Sequence, residues 1–161
     1  IFMTSNTRGK WDFITTVSED EYFVPNKMNL QNKRIVDFLK TELPEIQLIY
    51  IFGSEAQGMT NPESDLDIAV LCPIRLQSET LWNLRLALSN LHDREVDLVD
   101  LRADNAVLNM EIIYHGVCIY KLNDSFWQLF ECRVIEEYLD LKELIRDMEE
   151  EIKVSGKIFN Y

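Results

Sequence analysis

The chain has 161 residues, of which 47% are hydrophobic and 27% are charged, and its formal net charge is −12. This composition is typical of one globular domain with a sizeable core, and no apolar run approaches the roughly 20 residues that cross a bilayer. The negative charge argues against broad nucleic-acid binding, which depends on Lys and Arg, and leaves room only for a local basic site. It favours binding of Mg²⁺ or of a protein partner with a basic face.

The sequence falls into three segments. Residues 1–27 show no sustained periodicity, and we expect them to be an N-terminal extension that comes from a vector or an upstream peptide. A regular pattern opens at Met28, which begins a core over residues 28–122. Residues 123–161 form a C-terminal helical segment, which is a candidate surface for a partner.

Hydrophobic periodicity predicts four helices and four strands after residue 28. In chain order they are a helix over 30–43 that ends before Pro44, strands over 47–52 and 66–72, a helix over 79–92 capped by Ser78, a strand over 95–101, a helix over 105–115, a strand over 117–120 and a helix over 124–154.

The last predicted helix carries an apolar stripe that is longer than a domain of this size needs for its own core. Packing against that core is the simplest interpretation, and an exposed remainder would indicate a protein interface. Near its end, the run Glu149-Glu150-Glu151 is expected to be a solvated helix end, with contact to basic residues of a partner as the alternative.

The cysteines indicate the compartment. Cys72, Cys118 and Cys132 have no spacing suited to zinc or to a disulfide framework, and we expect Cys72 and Cys118 to be buried free thiols. The first residues, IFMTSNTRGKWDF, lack the features of a secretory signal. An odd cysteine count without such a signal fits a reducing compartment, so we predict a cytoplasmic protein.

The strongest pattern for chemistry is Gly53-Ser54 followed, after ten residues, by Asp65-Leu66-Asp67. Side chains two apart on a strand leave the same face, so Asp65 and Asp67 project into one small volume. Two carboxylates there repel each other unless a proton or a cation intervenes. Mg²⁺ is the natural cation, because it is usually held by one or two carboxylates plus substrate phosphates. The structural alternative is a simple turn followed by solvent-facing acids.

A third acid lies on the next predicted strand. Asp97 stands among apolar residues, where a carboxylate is costly to bury without a partner. If this strand lies beside that of Asp65 and Asp67, all three acids converge. Asp100 competes with Asp97, but it is three positions further on, so it faces the opposite side, and we expect it to reach solvent near the strand end.

The glycines and the serine of this segment are suited to binding an anion. Gly53 permits a tight turn and close approach of the backbone to a phosphate, Ser54 can donate its hydroxyl, and Gly58 gives a second point of close approach. Exposed N–H groups at the start of a following helix also suit an anion. Together these groups would orient the triphosphate of a nucleotide.

The segment IFGSEAQGMTNPESDLDIAVL resembles the signature of the DNA polymerase β-like nucleotidyltransferase superfamily, and EVDLVDL resembles its third-acid strand. Over residues 30–120 the chain is most similar to the minimal nucleotidyltransferase (MNT) branch. The resemblance implies an α/β (α+β) fold, in which a mixed sheet is flanked by helices, here with a long C-terminal helix.

The resemblance also implies two Mg²⁺ ions and roles for individual residues. Asp65 and Asp67 match the metal-binding pair, and Asp97 matches the third acid, which holds the catalytic metal and helps to activate the acceptor. Gly53 and Ser54 match the contacts to the nucleotide phosphates. Position 55 departs from the pattern, because it is Glu where many relatives have a basic or neutral residue.

Members of the MNT branch commonly act as antitoxins of HEPN-family ribonucleases. The resemblance therefore implies transfer of AMP from ATP to a tyrosine of a HEPN toxin, which blocks the toxin. The alternative is a non-enzymatic antitoxin that inhibits by binding and keeps a vestigial site. Transfer to a small molecule, as in aminoglycoside-modifying relatives, ranks lower, because those enzymes usually carry a larger second domain.

Histidines and tryptophans give weaker signals. His92 and His115 are isolated, each near a predicted helix end, and a structural role there is expected, since no nucleophile pairs with either. Trp11, Trp82 and Trp127 are expected to serve in packing rather than as platforms that stack bases.

Overall fold

The computed structural model describes residues 3–5, 11–13, 29–58 and 64–155, with side chains over 29–58 and 64–153. Its elements are β1 (Met3–Ser5), β2 (Trp11–Phe13), α1 (Leu30–Glu42), β3 (Leu48–Phe52), α2 (Gly53–Ala56), β4 (Leu66–Leu71), α3 (Ser78–His92), β5 (Val96–Asp100), α4 (Ala106–His115), β6 (Val117–Lys121) and α5 (Asp124–Ser155).

Each predicted helix and strand is confirmed to within one residue at each end. The helix expected to follow the Gly-Ser step is the single turn α2, which begins at Gly53 itself. The antiparallel pair of β1 and β2, which lies within the proposed extension over 1–27, was not predicted. Most of that extension lies outside the described residues. Ser78 is the first helical residue of α3 and not its cap, so that prediction is wrong; Gln77 holds the cap position, without a side-chain capping bond.

Four strands form one mixed sheet in the order β5-β4-β3-β6. β3 runs antiparallel to β4 and to β6, whereas β4 and β5 are parallel and are joined by the crossover helix α3. The carboxyl end of β3 therefore lies beside the amino ends of β4 and β5. This end of the sheet is where the Gly-Ser turn and the predicted acids lie.

Alternation along the strands divides the core into two layers, one on each face of the sheet. On one face, α1 and α3 pack through buried apolar side chains that include Ile35, Leu39, Leu84 and Leu88. On the other face, α4 and α5 pack through Ile112, Phe130 and Val134. The mixed sheet flanked by helices was thus predicted correctly.

Helix α5 belongs to the core only over its first part. Its 32 residues make it about 48 Å long. Asn123 caps the helix by accepting a hydrogen bond from the Phe126 N–H at 2.8 Å. Phe130 and Val134 are its fully buried side chains among those described, and apolar residues beyond them, such as Leu139 and Leu144, are exposed. The predicted stripe is therefore part core and part surface.

A buried hydroxyl ties α5 to the sheet. The Tyr50 hydroxyl donates to a Glu131 carboxylate oxygen at 2.9 Å and accepts a hydrogen bond from Trp127 Nε1 at 2.7 Å. Burial raises the pKa of Tyr50 well above its usual range, so this hydroxyl keeps its proton for Glu131. Trp127 therefore has the packing role predicted for it.

The cysteines are free thiols, of which Cys72 is buried, Cys118 is half-buried and Cys132 is exposed. Burial raises the pKa of Cys72 to about 11 and that of Cys118 to about 12, so both stay protonated near neutral pH. No helix in the described ranges combines the length and the apolar character that a membrane span requires.

Replacing a side chain of α5 by Ala should change stability by different amounts in the two parts of the helix. We expect Phe130→Ala to lower the free energy of unfolding by about 3–5 kcal/mol, because it leaves a cavity between α5 and the sheet. Leu139→Ala, at an exposed position of the same helix, should change it by less than about 0.5 kcal/mol. Urea denaturation of the isolated chain measures both values. Equal losses for the two variants would contradict the division of α5.

Candidate active site

Two of the predicted acids are direct neighbours across parallel strands. Asp67 on β4 is in register with Asp97 on β5, and Phe52, the last residue of β3, is in register with Asp67 on its other side. Both aspartates are half-buried. Asp65 lies just before β4 and is exposed, and it contributes to the electrostatic field at Asp67.

Gly53 lies directly against one of these acids. Its φ angle is +66°, which is in the left-handed region, and a Cβ at this position would overlap with Oδ2 of Asp67. Any other residue at position 53 would displace this carboxylate and strain the backbone. The turn that ends β3 and the carboxylate on β4 are therefore one packed unit, which continues into α2 and Ser54.

Position 58 favours glycine for another reason. Its φ angle is +67°, but a Cβ there would meet open space. The backbone conformation of the turn after α2 therefore favours glycine at position 58. A larger side chain there would not collide with any described atom.

The carboxylates repel each other. Burial raises the pKa of Asp67 above its usual range, the charges of Asp97 and Asp65 raise it further, and Arg94 opposes these effects. A cation between the side chains would relieve this repulsion. Across the described ranges, however, no three side chains of His, Cys, Asp or Glu stand close enough together to hold one ion.

Arg85 on α3 holds Asp97 from the outer side of β5. Its Nη1 lies 3.6 Å from Oδ1 of Asp97, and its Nη2 lies 3.2 Å from Oε1 of Glu95. Arg85 was not predicted as a site residue, because helical periodicity gives no indication that a polar residue of α3 reaches the edge strand.

Arg94 links the two halves of the motif. It follows Asp93, whose left-handed conformation (φ 51°) ends α3. Its guanidinium donates to the carbonyl oxygens of Ser64 at 2.5 Å and of Asp65 at 3.0 Å, and it forms a 3.0 Å ion pair with Glu55 on α2. Arg94 thereby fastens the segment before Asp67 to the helix after Gly53.

The unusual residue at position 55 was the only signal for this contact. Glu55 departs from the family pattern, and the structure supplies a cation for it in Arg94. Both side chains are about four-fifths buried, with 21% and 19% of their surface exposed. A charge at this degree of burial requires a partner.

Asp100 has a structural role. It lies on the opposite face of β5 from Asp97, as predicted, but the expectation that it reaches solvent is wrong, because only 3% of its surface is exposed. Its carboxylate accepts hydrogen bonds from the N–H groups of Leu76 at 2.8 Å and Arg102 at 2.9 Å. The segment after β4 folds over the end of β5 and covers Asp100.

The histidines are the last residues of their helices, as predicted. His92 ends α3, where burial and the nearby Arg34 and Arg94 lower its pKa. His115 ends α4, 3.7 Å from Glu111. The packing role predicted for Trp82 is wrong, since 64% of this side chain is exposed. The Trp11 side chain lies outside the described residues.

Comparison with known proteins agrees with this arrangement. Residues 33–125 match the family "Polymerase beta, Nucleotidyltransferase", and this segment includes the Gly-Ser turn and all three acids. The chain belongs to this nucleotidyltransferase family. Within the family it is 35% identical, over 113 residues, to the protein adenylyltransferase MntA of Shewanella oneidensis, which covers 70% of this chain and 81% of that protein.

Solved structures confirm the polymerase β-like fold and the resemblance to the MNT branch. The nucleotidyltransferase resembles a chain in the crystal structure of a toxin–antitoxin with AMP-PNP, with a TM-score of 0.71 and 32% identity over 77% of this chain and 99% of that one. It also resembles a chain in the complex of tri-AMPylated S. oneidensis HEPN toxin with MNT antitoxin, with a TM-score of 0.66 and 30% identity over 77% and 97% of the two chains.

The pair of Glu55 and Arg94 can be tested by a double-mutant cycle. We expect Arg94→Ala to lower the free energy of unfolding of this nucleotidyltransferase by about 1–3 kcal/mol, because Glu55 and two carbonyl oxygens lose their donor. Glu55→Ala should cost less, since the carbonyl contacts remain. The coupling between the two changes should exceed about 0.5 kcal/mol.

Urea denaturation measures the free energy of unfolding of the wild type, the two single variants and the double variant. The control is Arg75→Ala, which removes an exposed ion pair with Asp104 and should cost less than about 1 kcal/mol. Additive effects of the Glu55 and Arg94 variants would show that the two side chains do not interact in solution.

Proposed function

We propose that this protein is a cytoplasmic antitoxin that transfers AMP from ATP to a tyrosine hydroxyl of a HEPN-family ribonuclease toxin and thereby inactivates it. The observation that supports this most strongly is the 35% identity to a protein adenylyltransferase over a segment whose acids are register neighbours on β4 and β5. The structures of relatives with AMP-PNP and with an AMPylated HEPN toxin support the same donor and acceptor.

The donor set fits Mg²⁺. Asp65, Asp67 and Asp97 offer only carboxylate oxygens, which this ion prefers. Burial, and after it the charges of Asp97 and Asp65, raise the pKa of Asp67, and a cation relieves the repulsion between these charges. One or two carboxylates suffice when substrate phosphates complete the shell, as is usual for Mg²⁺. When bound, the ion neutralises charge on the triphosphate and lowers the pKa of the acceptor hydroxyl.

The residues of the chain position the reactants. Gly53 and Ser54 contact the phosphates of ATP at the end of β3, with Gly58 in the turn that follows. Asp97 lies on the acceptor side and orients the tyrosine hydroxyl. The hydroxyl oxygen attacks the α-phosphorus, a new P–O bond forms, the bond to pyrophosphate breaks and the hydroxyl proton leaves to water. Positioning and electrostatics therefore supply most of the catalysis.

The acids can be tested by neutralising them. We expect Asp65→Asn/Asp67→Asn, and separately Asp97→Asn, to abolish AMP transfer while the thermal unfolding midpoint stays near that of the wild type. The intact mass of a co-expressed toxin gives the number of AMP units. Asp100→Asn is the matched control, because it should lower stability through its hydrogen bonds to Leu76 and Arg102 and still permit transfer. An AMPylated toxin with the Asp65/Asp67 variant would refute the assignment.

A second candidate function is inhibition by binding alone. The observation that favours it is the exposed, acidic distal part of α5, residues 135–153, which is a binding surface separate from the acids of the sheet. The Asp65→Asn/Asp67→Asn variant separates the two functions. If this variant still protects cells from the toxin, binding suffices; if protection is lost, AMP transfer is required.

The distal part of α5 is the proposed surface for the toxin. It exposes Leu139, Leu144, Ile145 and Met148, with 57%, 58%, 47% and 40% of their surfaces accessible. Residues 136–151 contain eight Asp and Glu but two Lys and Arg. Two copies of such a helix would repel each other, so the charge favours a partner whose apolar stripe is bordered by Lys and Arg. A ribonuclease needs cationic residues to bind RNA, so its charge is complementary to that of distal α5.

This surface predicts a separation of binding from stability. Leu144→Asp/Met148→Asp should weaken toxin binding at least roughly ten-fold, because it places charges in an apolar contact, and should leave the unfolding midpoint of the isolated chain unchanged. Leu30→Asp, at an exposed position on the opposite face of the sheet, is the control and should bind normally. Titration calorimetry measures the affinity of each surface variant for the toxin, with both made in the catalytically inactive variant. Equal affinities would exclude this surface.

A further inference from the structure

Arg85 and Asp97 approach each other from opposite faces of the sheet. Asp97 alternates along β5 with Val96 and Leu98, which pack against α1 and α3, so its side chain leaves on the face that α4 and α5 cover. Arg85 lies on α3, on the other face. Because β5 is the last strand of the described four-stranded sheet, the two side chains meet around its edge, with 3.6 Å between Arg85 Nη1 and Asp97 Oδ1.

This contact draws the Asp97 carboxylate away from the other acids. Asp67 lies beside Asp97 on the inner strand β4, whereas Arg85 lies at the outer edge of β5. A carboxylate oxygen that faces Arg85 at the edge faces away from β4. In agreement with this, no three His, Cys, Asp or Glu side chains within residues 29–58 and 64–153 stand close enough together to hold one ion.

Arg85 has a second anchor. Its Nη2 lies 3.2 Å from Oε1 of Glu95, which is closer than the 3.6 Å between its Nη1 and Asp97. Arg85 and Glu95 both line a cavity of about 190 Å³ between α3 and the start of β5, together with Trp82, Leu86 and Ser89. The guanidinium therefore has room to move toward Glu95 and can release Asp97 without losing its ion pair.

We propose that Arg85 is a positioning residue that holds Asp97 at the edge of the sheet in the metal-free chain and releases it when Mg²⁺ binds. The inference rests on the proposed role of Asp97 in holding this ion. The guanidinium and the ion carry charges of the same sign and require the same carboxylate, so they compete for it. Once Arg85 is paired with Glu95 alone, the Asp97 side chain is free to turn toward Asp67.

The test is the affinity of the full chain for Mn²⁺, measured from the electron paramagnetic resonance signal of the free ion. Arg85→Gln keeps most of the side-chain length and removes the charge. It should tighten Mn²⁺ binding on the order of five-fold, as expected when a like charge is removed from a partly exposed site. Arg85→Lys keeps a charge and should restore most of the wild-type affinity. Arg75→Gln removes an exposed cation at the opposite end of the sheet and is the control for net charge.

Glu95 provides a second test with the opposite sign. Glu95→Gln leaves Asp97 as the partner of Arg85 and should therefore weaken Mn²⁺ binding. In a chain that also carries Arg85→Gln, the same change should have little effect, because Glu95 acts through Arg85. Equal weakening with and without Arg85 would show that Glu95 acts only through its own charge, and it would contradict the exchange of partners.

The inference is overturned if Arg85→Gln weakens Mn²⁺ binding, because Arg85 would then hold Asp97 in place for the ion, or if it leaves the affinity unchanged. The thermal unfolding midpoint of Arg85→Gln should stay near that of the wild type, so that folded chains are compared. Failure of the proposed function itself would look different, because the Asp65→Asn/Asp67→Asn variant would then bind Mn²⁺ no more weakly than the wild type.

Discussion

The site depends on one constraint, the register that sets Asp67 beside Asp97 on parallel strands. Neighbouring carboxylates at half-buried positions destabilise the fold unless cations compensate them. The chain supplies part of this compensation on each side. Arg94 acts on Asp67, and Arg85 lies next to Asp97. This compensation is only partial, because the pKa of Asp67 stays above its usual range through burial and the charges of Asp97 and Asp65.

The same arginines explain how the parts of the site stay in place. Gly53 lets the turn pack against the Asp67 carboxylate, and Arg94 joins α2 to the carbonyl of Asp65. The Gly-Ser turn and the acids are therefore fixed to each other as well as to the sheet. Rigid placement of both is what phosphoryl-type transfer needs, because positioning provides most of its catalysis.

Sequence patterns predicted the elements well, because β5 alternates between buried and half-buried residues, β4 is an almost wholly apolar run, and α1 has a clear apolar face. They could not predict Arg94, whose partner Glu55 is 39 residues away, since such contacts depend on the strand order. The burial of Asp100 was missed because the segment around Leu76, which covers it, has no periodic pattern. Trp82 was misjudged because α3 has more apolar residues than its buried face holds, and the excess lines a cavity.

The charge of −12 has two structural consequences. At the end of the sheet, acids gather beside the Gly-Ser turn, where we propose that a cation and a nucleotide bind. On the distal part of α5, acids such as Glu149 border an apolar stripe that leaves the core after Val134. These surfaces belong to different elements and share no described contact residue. The proposed chemistry and the proposed partner binding can therefore change independently, because distal α5 makes no described contact with the paired strands β4 and β5.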